Sequence, residues 1–301
     1  MKILLALFIA LFTSAFAQAA KHEPVPFPEE VAQVGYKMVS GLLRKGTEIP
    51  SGCYTDEESR TVFSGHQKGM NASILFGPIG VIAANQANKA GGRERSESFN
   101  PFAGFEVEDL VEEKILAEFS ANAVGVLVEG QSERTLEFCP YVILNRNEKT
   151  GTKIYILCIV ELKREGSSKP LWRTRFYSEL PGVFSDADLA DSDEVAALCE
   201  APAERLAWAI RKAVTMDFSQ YLPRKVKARF AGMPNNGLPF AGAVVDELGD
   251  FKLMRMVYCF PPSYTVAHVD SLAFSDIKKF KDKHRDAFLA AAAEPGAEGS
   301  D

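Results

Sequence analysis

Histidine and cysteine are both scarce in this chain, with four of the first and five of the second in 301 residues. The cysteines (Cys53, Cys139, Cys158, Cys199 and Cys259) are scattered and form no C-x-x-C or Cys/His cluster, which argues against a zinc site. No G-x-S-x-G elbow occurs, so the common placement of a hydroxyl nucleophile is missing. Gly65–Gly69 and Gly77–Gly80 lack the G-K-[ST] ending whose lysine and hydroxyl hold phosphate and magnesium. Gly91-Gly92 follows a helical stretch instead of opening one, so its amides point the wrong way for an anion. Long basic blocks are also missing. The formal charge is −6, or −7 once Lys2 leaves with a leader. That balance argues against nucleic acid or an anionic membrane surface as partner. No internal repeat is found, and no cofactor is implied.

What is present begins with MKILLALFIALFTSAFAQAA, one lysine followed by a short apolar run and A-x-A cleavage patterns at Ala15–Ala17 and Ala17–Ala19. This is the layout of a secretory signal peptide, too short for a spanning helix of about 20 residues. The expected division is a signal peptide over 1–19, a flexible leader over 20–27 and an α+β main domain over 28–222. A β-rich unit with a C-terminal helix follows over 223–292, then a disordered tail over 293–301. Export, most simply to the periplasm, is the expectation, with no integral membrane span after cleavage. Cys53 lies too far beyond the cleavage site to be lipidated. The sequon Asn71-Ala72-Ser73 matters only in a eukaryotic host, and the compact A-x-A leader reads as bacterial.

Apolar spacing predicts a helix from Pro28 to Gly46 and another over Glu106–Ser120 with Val107, Leu110, Val111, Ile115 and Phe119 as its stripe. Between them a short strand is expected near Thr61–Phe63. Ala123–Val128, Thr135–Asn145, Thr152–Leu162 and Leu171–Tyr177 read as strands, the last three as an antiparallel meander. Pro140 demotes the first of these toward an edge. Pairing Asn145 with Thr152 sets Cys139 directly opposite Cys158, which would allow a cross-strand disulfide. Two buried free thiols are the alternative. A helical region over Ser192–Phe218 is expected to restart at Pro202. Short strands follow near Lys225–Phe230, Ala243–Asp246, Lys252–Phe260 and Tyr264–Asp270, either as a small barrel or as an extension of the main sheet. A closing helix is expected over Ser275–Ala292.

The stretch FGPIGVIAANQANKAGG, Phe76–Gly92, could be a membrane segment, a phosphate loop or a packed helix. Its apolar run, Ala72–Ala84, is about 13 residues, short of the bilayer. Asn85, Gln86, Asn88 and Lys89 fill its second half and would be costly to bury in lipid. The reading is a helix started by Pro78 and capped by Gly91. Ile79, Ala83, Ala87 and Ala90 form a small-residue face that needs a close neighbour, either the protein's own sheet or another chain.

Two groups of residues carry candidate chemistry. His268 and Asp270 share one face of a strand, where the acid could orient an imidazole for general-base work; a structural histidine is the alternative. Asp186, Asp188, Asp191 and Asp193, with Glu194, form the densest acid cluster and are candidate calcium ligands. The EF-hand pattern fails, because Ala190 and Asp191 occupy its fifth and sixth positions. The other reading is that these acids charge and cap a helix N-terminus.

The glycine/alanine helix G-x-I-G-x-x-A-A-N-x-x-x-K-A, the charged helix after it and Leu171-Trp172-Arg173 resemble a segment of uncharacterised exported or lipoprotein-like proteobacterial families. The resemblance covers about residues 70–220 and implies location and fold, with no activity to carry over. The expected fold is α+β, an antiparallel sheet packed by helices with a small C-terminal β-rich unit and a closing helix. The expected function is a non-enzymatic envelope scaffold or assembly factor binding another envelope protein or itself. The alternative is an exported hydrolase or a small-ligand or calcium binder.

Overall fold

Residues 33–45, 48–49, 52–64, 70–122, 126–130, 132–147, 150–215, 224–228, 239–256, 263–269 and 272–275 are described by the computed structural model. Twelve strands form one sheet: β1 Gln33–Met38, β2 Tyr54–Asp56, β3 Thr61–Ser64, β4 Val126–Glu129, β5 Arg134–Asn147, β6 Gly151–Arg164, β7 Trp172–Phe184, β8 Arg224–Ala228, β9 Pro239–Leu248, β10 Phe251–Met256, β11 Ser263–His268 and β12 Leu272–Ser275. Among the described residues three helices accompany them: α1 Met70–Ser98, α2 Val107–Ala121 and α3 Ser192–Thr215. The strand order is β12-β8-β9-β10-β11-β7-β6-β5-β1-β4, with β3 also on β5 and β2 on β3. No helix among the described residues is long and apolar enough to cross a membrane.

The architecture is α+β, and the sheet is mixed where a purely antiparallel one was expected. β5, β6 and β7 are the antiparallel meander. β1 and β3 both lie parallel to β5, on successive lengths of one edge, and β4 lies parallel to β1. The C-terminal strands extend the same sheet, because β11 pairs in parallel with β7 through Ser263–Val266.

Strand alternation sorts the side chains onto two faces. On one face Phe138, Val142, Ile156, Cys158, Val160 and Phe176 join the main core. The buried stripe of α2 (Val107, Leu110, Val111, Ile115 and Phe119) is the one expected from its spacing, and α3 adds Val195, Leu206 and Ile210 to the same core. On the other face Cys139, Tyr141, Ile143, Tyr155, Leu157, Ile159 and Tyr177 form a second cluster under Val39, Leu42, Leu43, Ile49 and Cys53. The described residues between Val39 and Cys53 thus act as a strap over the meander.

Several expectations differ from what is observed. Gln33–Met38 is a strand, although its apolar spacing reads as a helix. The same residues also carry period two, and Val34 and Tyr36 reach the helix-side core with Met38 packed against it. Gly35 decides the matter, because a Cβ there would lie 2.6 Å from the Gly130 carbonyl oxygen and 2.8 Å from the Ser132 nitrogen. At position 35 the space between β4 and β5 therefore has no room for a side chain. Pro140 sits in a central strand. The amide of Val142 donates to Arg60 O, so by parity the ring nitrogen of Pro140 faces the same side. There the pairing with β1 ends opposite Phe138 and the pairing with β3 does not begin before Val142. The missing N–H costs no ladder bond.

The β5–β6 register is one residue off the expected one. Cys139 lies opposite Ile159 and Pro140 opposite Cys158. A one-residue slip moves a side chain to the other face, so Cys139 lies under the strap and Cys158 under the helices. Both are buried free thiols, and no disulfide joins them. β7 continues beyond Tyr177 to Phe184, through Pro181-Gly182, which fall where its register against β6 shifts. α3 runs unbroken through Pro202 instead of restarting there. α1 is 29 residues long and passes over both Pro78 and Gly91, so neither starts nor caps it. The expected leader, the closing helix Ser275–Ala292 beyond Ser275 and the tail lie outside the described residues.

Candidate functional site

The strap face of the meander holds an unusual density of charge. Period two in β6 and β7 puts Glu161 and Lys163, and Arg173, Arg175, Tyr177 and Glu179, on this face together with Glu137 of β5. The register sets them in rows. Glu137 pairs with Glu161 and Glu161 with Arg173, while Cys139 pairs with Ile159 and Ile159 with Arg175. Tyr141 pairs with Leu157 and Leu157 with Tyr177.

Glu137 directly opposite Glu161 would repel, and cations between them remove the conflict. Lys163 Nζ lies 2.6 Å from Glu137 Oε2 and 3.4 Å from Glu161 Oε2. The Glu137 partner holds the Lys163 ammonium above its ordinary pKa, against the opposing effect of burial. Arg173 takes the other Glu161 oxygen through Nη1. Its Nη2 donates to Leu42 O at 2.6 Å and to Glu48 Oε1 at 2.9 Å. Glu48 is 4% exposed and also accepts the Arg44 amide at 2.8 Å. Tyr177 OH donates to Glu48 O at 2.5 Å. The strap is therefore tied to β7 at Arg173 and again at Tyr177.

The outer end of this cluster opens into a polar cleft of about 360 Å³ lined by Ser132, Thr135, Glu137, Lys163, Gly166 and Ser167, among others. Three of its hydroxyls donate within the chain. Ser132 donates to Arg134 O, Thr135 to Ser132 O and Ser167 to Lys169 O. Thiol chemistry is likewise suppressed. Burial pushes Cys53 and Cys199 up to about 12 and raises Cys139 and Cys158 as well, so each stays a protonated thiol at neutral pH.

The residues singled out from sequence are placed apart. His268 ends β11, its ring edge-on to Phe251 at 5.2 Å between centroids. Asp270 lies outside the described residues, and His268 lines neither the polar cleft nor the small cavity beside Arg95. Three of the four aspartates turn to different partners. Asp186 pairs with Arg95 of α1 and with Arg146. Asp188 accepts the Ser185 hydroxyl at 2.7 Å and the Ser185 amide at 2.6 Å, bonds that hold its carboxyl below its ordinary pKa. Asp191 caps α3 by accepting the amides of Asp193 and Glu194 at 2.9 and 3.2 Å. Asp193 itself is exposed in the first turn. Among the described residues no three His, Cys, Asp or Glu side chains are gathered to hold a metal ion.

The small-residue face of α1 gives the clearest outcome. Gly92 meets the sheet, where an added Cβ would lie 2.8 Å from Tyr54 Cβ, and Asn85 and Asn88 lie against Gly52. Ala83, Ala87 and Ala90 are exposed on the other side, with Ile82 at 59%. The Ile79 side chain lies outside the described residues. So α1 docks on its own sheet through its polar and glycine side and turns its alanines outward. The charged strap-face cluster was not singled out from sequence, although charged residues at period two inside strong strands were its signal. No known protein family, curated protein or solved structure matches this chain.

Proposed function

We propose that this is an exported, periplasmic protein that catalyses no reaction and acts as an envelope scaffold or assembly factor through protein contacts. The observation that carries the reading is the outward face of α1. Ile82, Ala83, Ala87 and Ala90 are an apolar, small-residue surface on a helix already held from behind by Tyr54 and Gly52, and such surfaces let another backbone approach closely. Two further features agree. The described thiols are all raised in pKa, and of the candidate acids Asp186 is in ion pairs, Asp188 accepts from Ser185 and Asp191 caps α3. The leader supports export.

Two measurements test the proposal. Mass spectrometry of the mature chain from periplasmic extract should show an N-terminus after Ala17 or Ala19; an intact Met1 in the cytosol would remove the export claim. A photo-crosslinking residue at Ala87 should yield one dominant adduct in the envelope fraction, with none from the exposed control position Glu165. Equal adducts from both positions, or none from Ala87, would count against a contact surface on α1.

A further inference from the structure

The other charges on the strap face each meet an opposite charge. Arg173 meets Glu48 and Glu161, Lys163 meets Glu137 and Glu161, and Lys153 meets Glu179. Arg175 differs. It is 6% exposed, and its Nε and Nη1 are shut off from solvent with no hydrogen-bond partner. A buried cation with unsatisfied donors is a costly arrangement unless an acceptor joins it.

The position is well defined. Arg175 lies on β7 between Arg173 and Tyr177, the two residues that tie down the strap. Across the parallel pairing with β11 it faces Ser263, with Thr265 next along, and both are 3% exposed. Neighbouring strands lie about 4.8 Å apart, so the Ser263 and Arg175 side chains leave adjacent backbone positions on the same face. The carboxylates that share the face, Glu48, Glu161 and Glu179, are engaged by Arg173, Lys163 and Lys153. We infer that Arg175, with Ser263 beside it, anchors a binding position for one oxyanion group, a phosphate or a carboxylate, on the strap face between β7 and β11. The guanidinium supplies a permanent charge and fixed donors.

The test uses the purified full chain at constant ionic strength, with chloride replaced by inorganic phosphate in one series and by acetate in another. Wild-type Tm should rise saturably in at least one series, by roughly 5 °C at a hundredfold excess over the dissociation constant. A larger response to phosphate assigns a tetrahedral anion, and a larger response to acetate assigns a carboxylate. Arg175→Met, which exchanges an unpaired buried charge for an apolar side chain of similar length, should fold and lose the response. Arg175→Lys should lose most of it, because a point charge cannot replace the planar donors. No rise in wild type, or an equal rise in Arg175→Met, overturns the site. Equilibrium dialysis of wild type with labelled phosphate or acetate gives a reading independent of the variants. About one bound anion per chain is expected, and none bound refutes the inference.

Discussion

Replacing Arg173 with methionine removes one guanidinium from between two buried carboxylates, and the cost follows from what each then keeps. Glu48 would retain only the Arg44 amide at 2.8 Å, and Glu161 would retain Lys163 at 3.4 Å. Leu42 O would lose its 2.6 Å donor. Removing one partner of a buried pair costs about 3–5 kcal/mol, because a charge is left uncompensated. Lys163 still answers Glu161, so the lower end, about 3 kcal/mol, is expected. That is a large share of the roughly 5–15 kcal/mol by which domains are stable. It corresponds to a fall in Tm of roughly 6–12 °C. Urea unfolding at neutral pH of wild type, Arg173→Met, Glu48→Gln and the double variant makes a complete cycle. The double variant should be more stable than Arg173→Met by at least about 1 kcal/mol, because the stranded carboxylate is gone. A single variant within about 1 kcal/mol of wild type, or a coupling below about 0.5 kcal/mol, would refute the view that this ion cluster holds the strap.

Gly92→Val should destabilise by about 1–2 kcal/mol. Crowding against Tyr54, where a Cβ would lie 2.8 Å from Tyr54 Cβ, outweighs the few tenths gained in helix propensity. Hydrogen exchange in residues 85–98 should quicken, and unchanged protection would show that α1 does not dock there. In native protein at pH 8 a thiol reagent should leave Cys53, Cys139, Cys158 and Cys199 untouched, since burial keeps them protonated and covered. All should react on unfolding, and mass mapping that finds any of the four modified beforehand would contradict the burial. Asp191→Ala should cost about 1 kcal/mol through loss of the α3 cap. Exchanging calcium for chelator should leave Tm unchanged in wild type and variant alike. A calcium-dependent rise in wild type alone would restore the acids as ligands.

How much of this could be read from the sequence depended on the range of the interaction involved. The α2 stripe was legible because residues three and four apart share a helix face whatever surrounds them. The β5–β6–β7 meander was legible because its strands are rich in β-branched and aromatic residues and are broken by turns. Alternation likewise assigns Arg173, Arg175, Tyr177 and Glu179 to one face. That this face is buried could not be read, because the strap covering it begins in a segment whose apolar spacing fits a helix equally well. The free thiols turned on a single residue of register between Cys139 and Cys158, which the turn around Arg146–Gly151 leaves open.

Taken alone, the sequence determined which side chains travel together: the helical stripes, the two sides of each strand, and the shortage of His, Cys and glycine-loop motifs. These are properties of local backbone geometry, repeated every 3.6 or two residues. Tertiary structure decided what each face meets. It placed β1 between β4 and β5 because only Gly35 fits beside Gly130. It joined the C-terminal strands to β7 and left Nε and Nη1 of Arg175 buried without a hydrogen-bond partner. It also turned the alanines of α1 outward, since Gly92 and Asn88 make the closer fit to Tyr54 and Gly52. Such outcomes rest on contacts between residues far apart in the chain, where close packing admits one neighbour and excludes another.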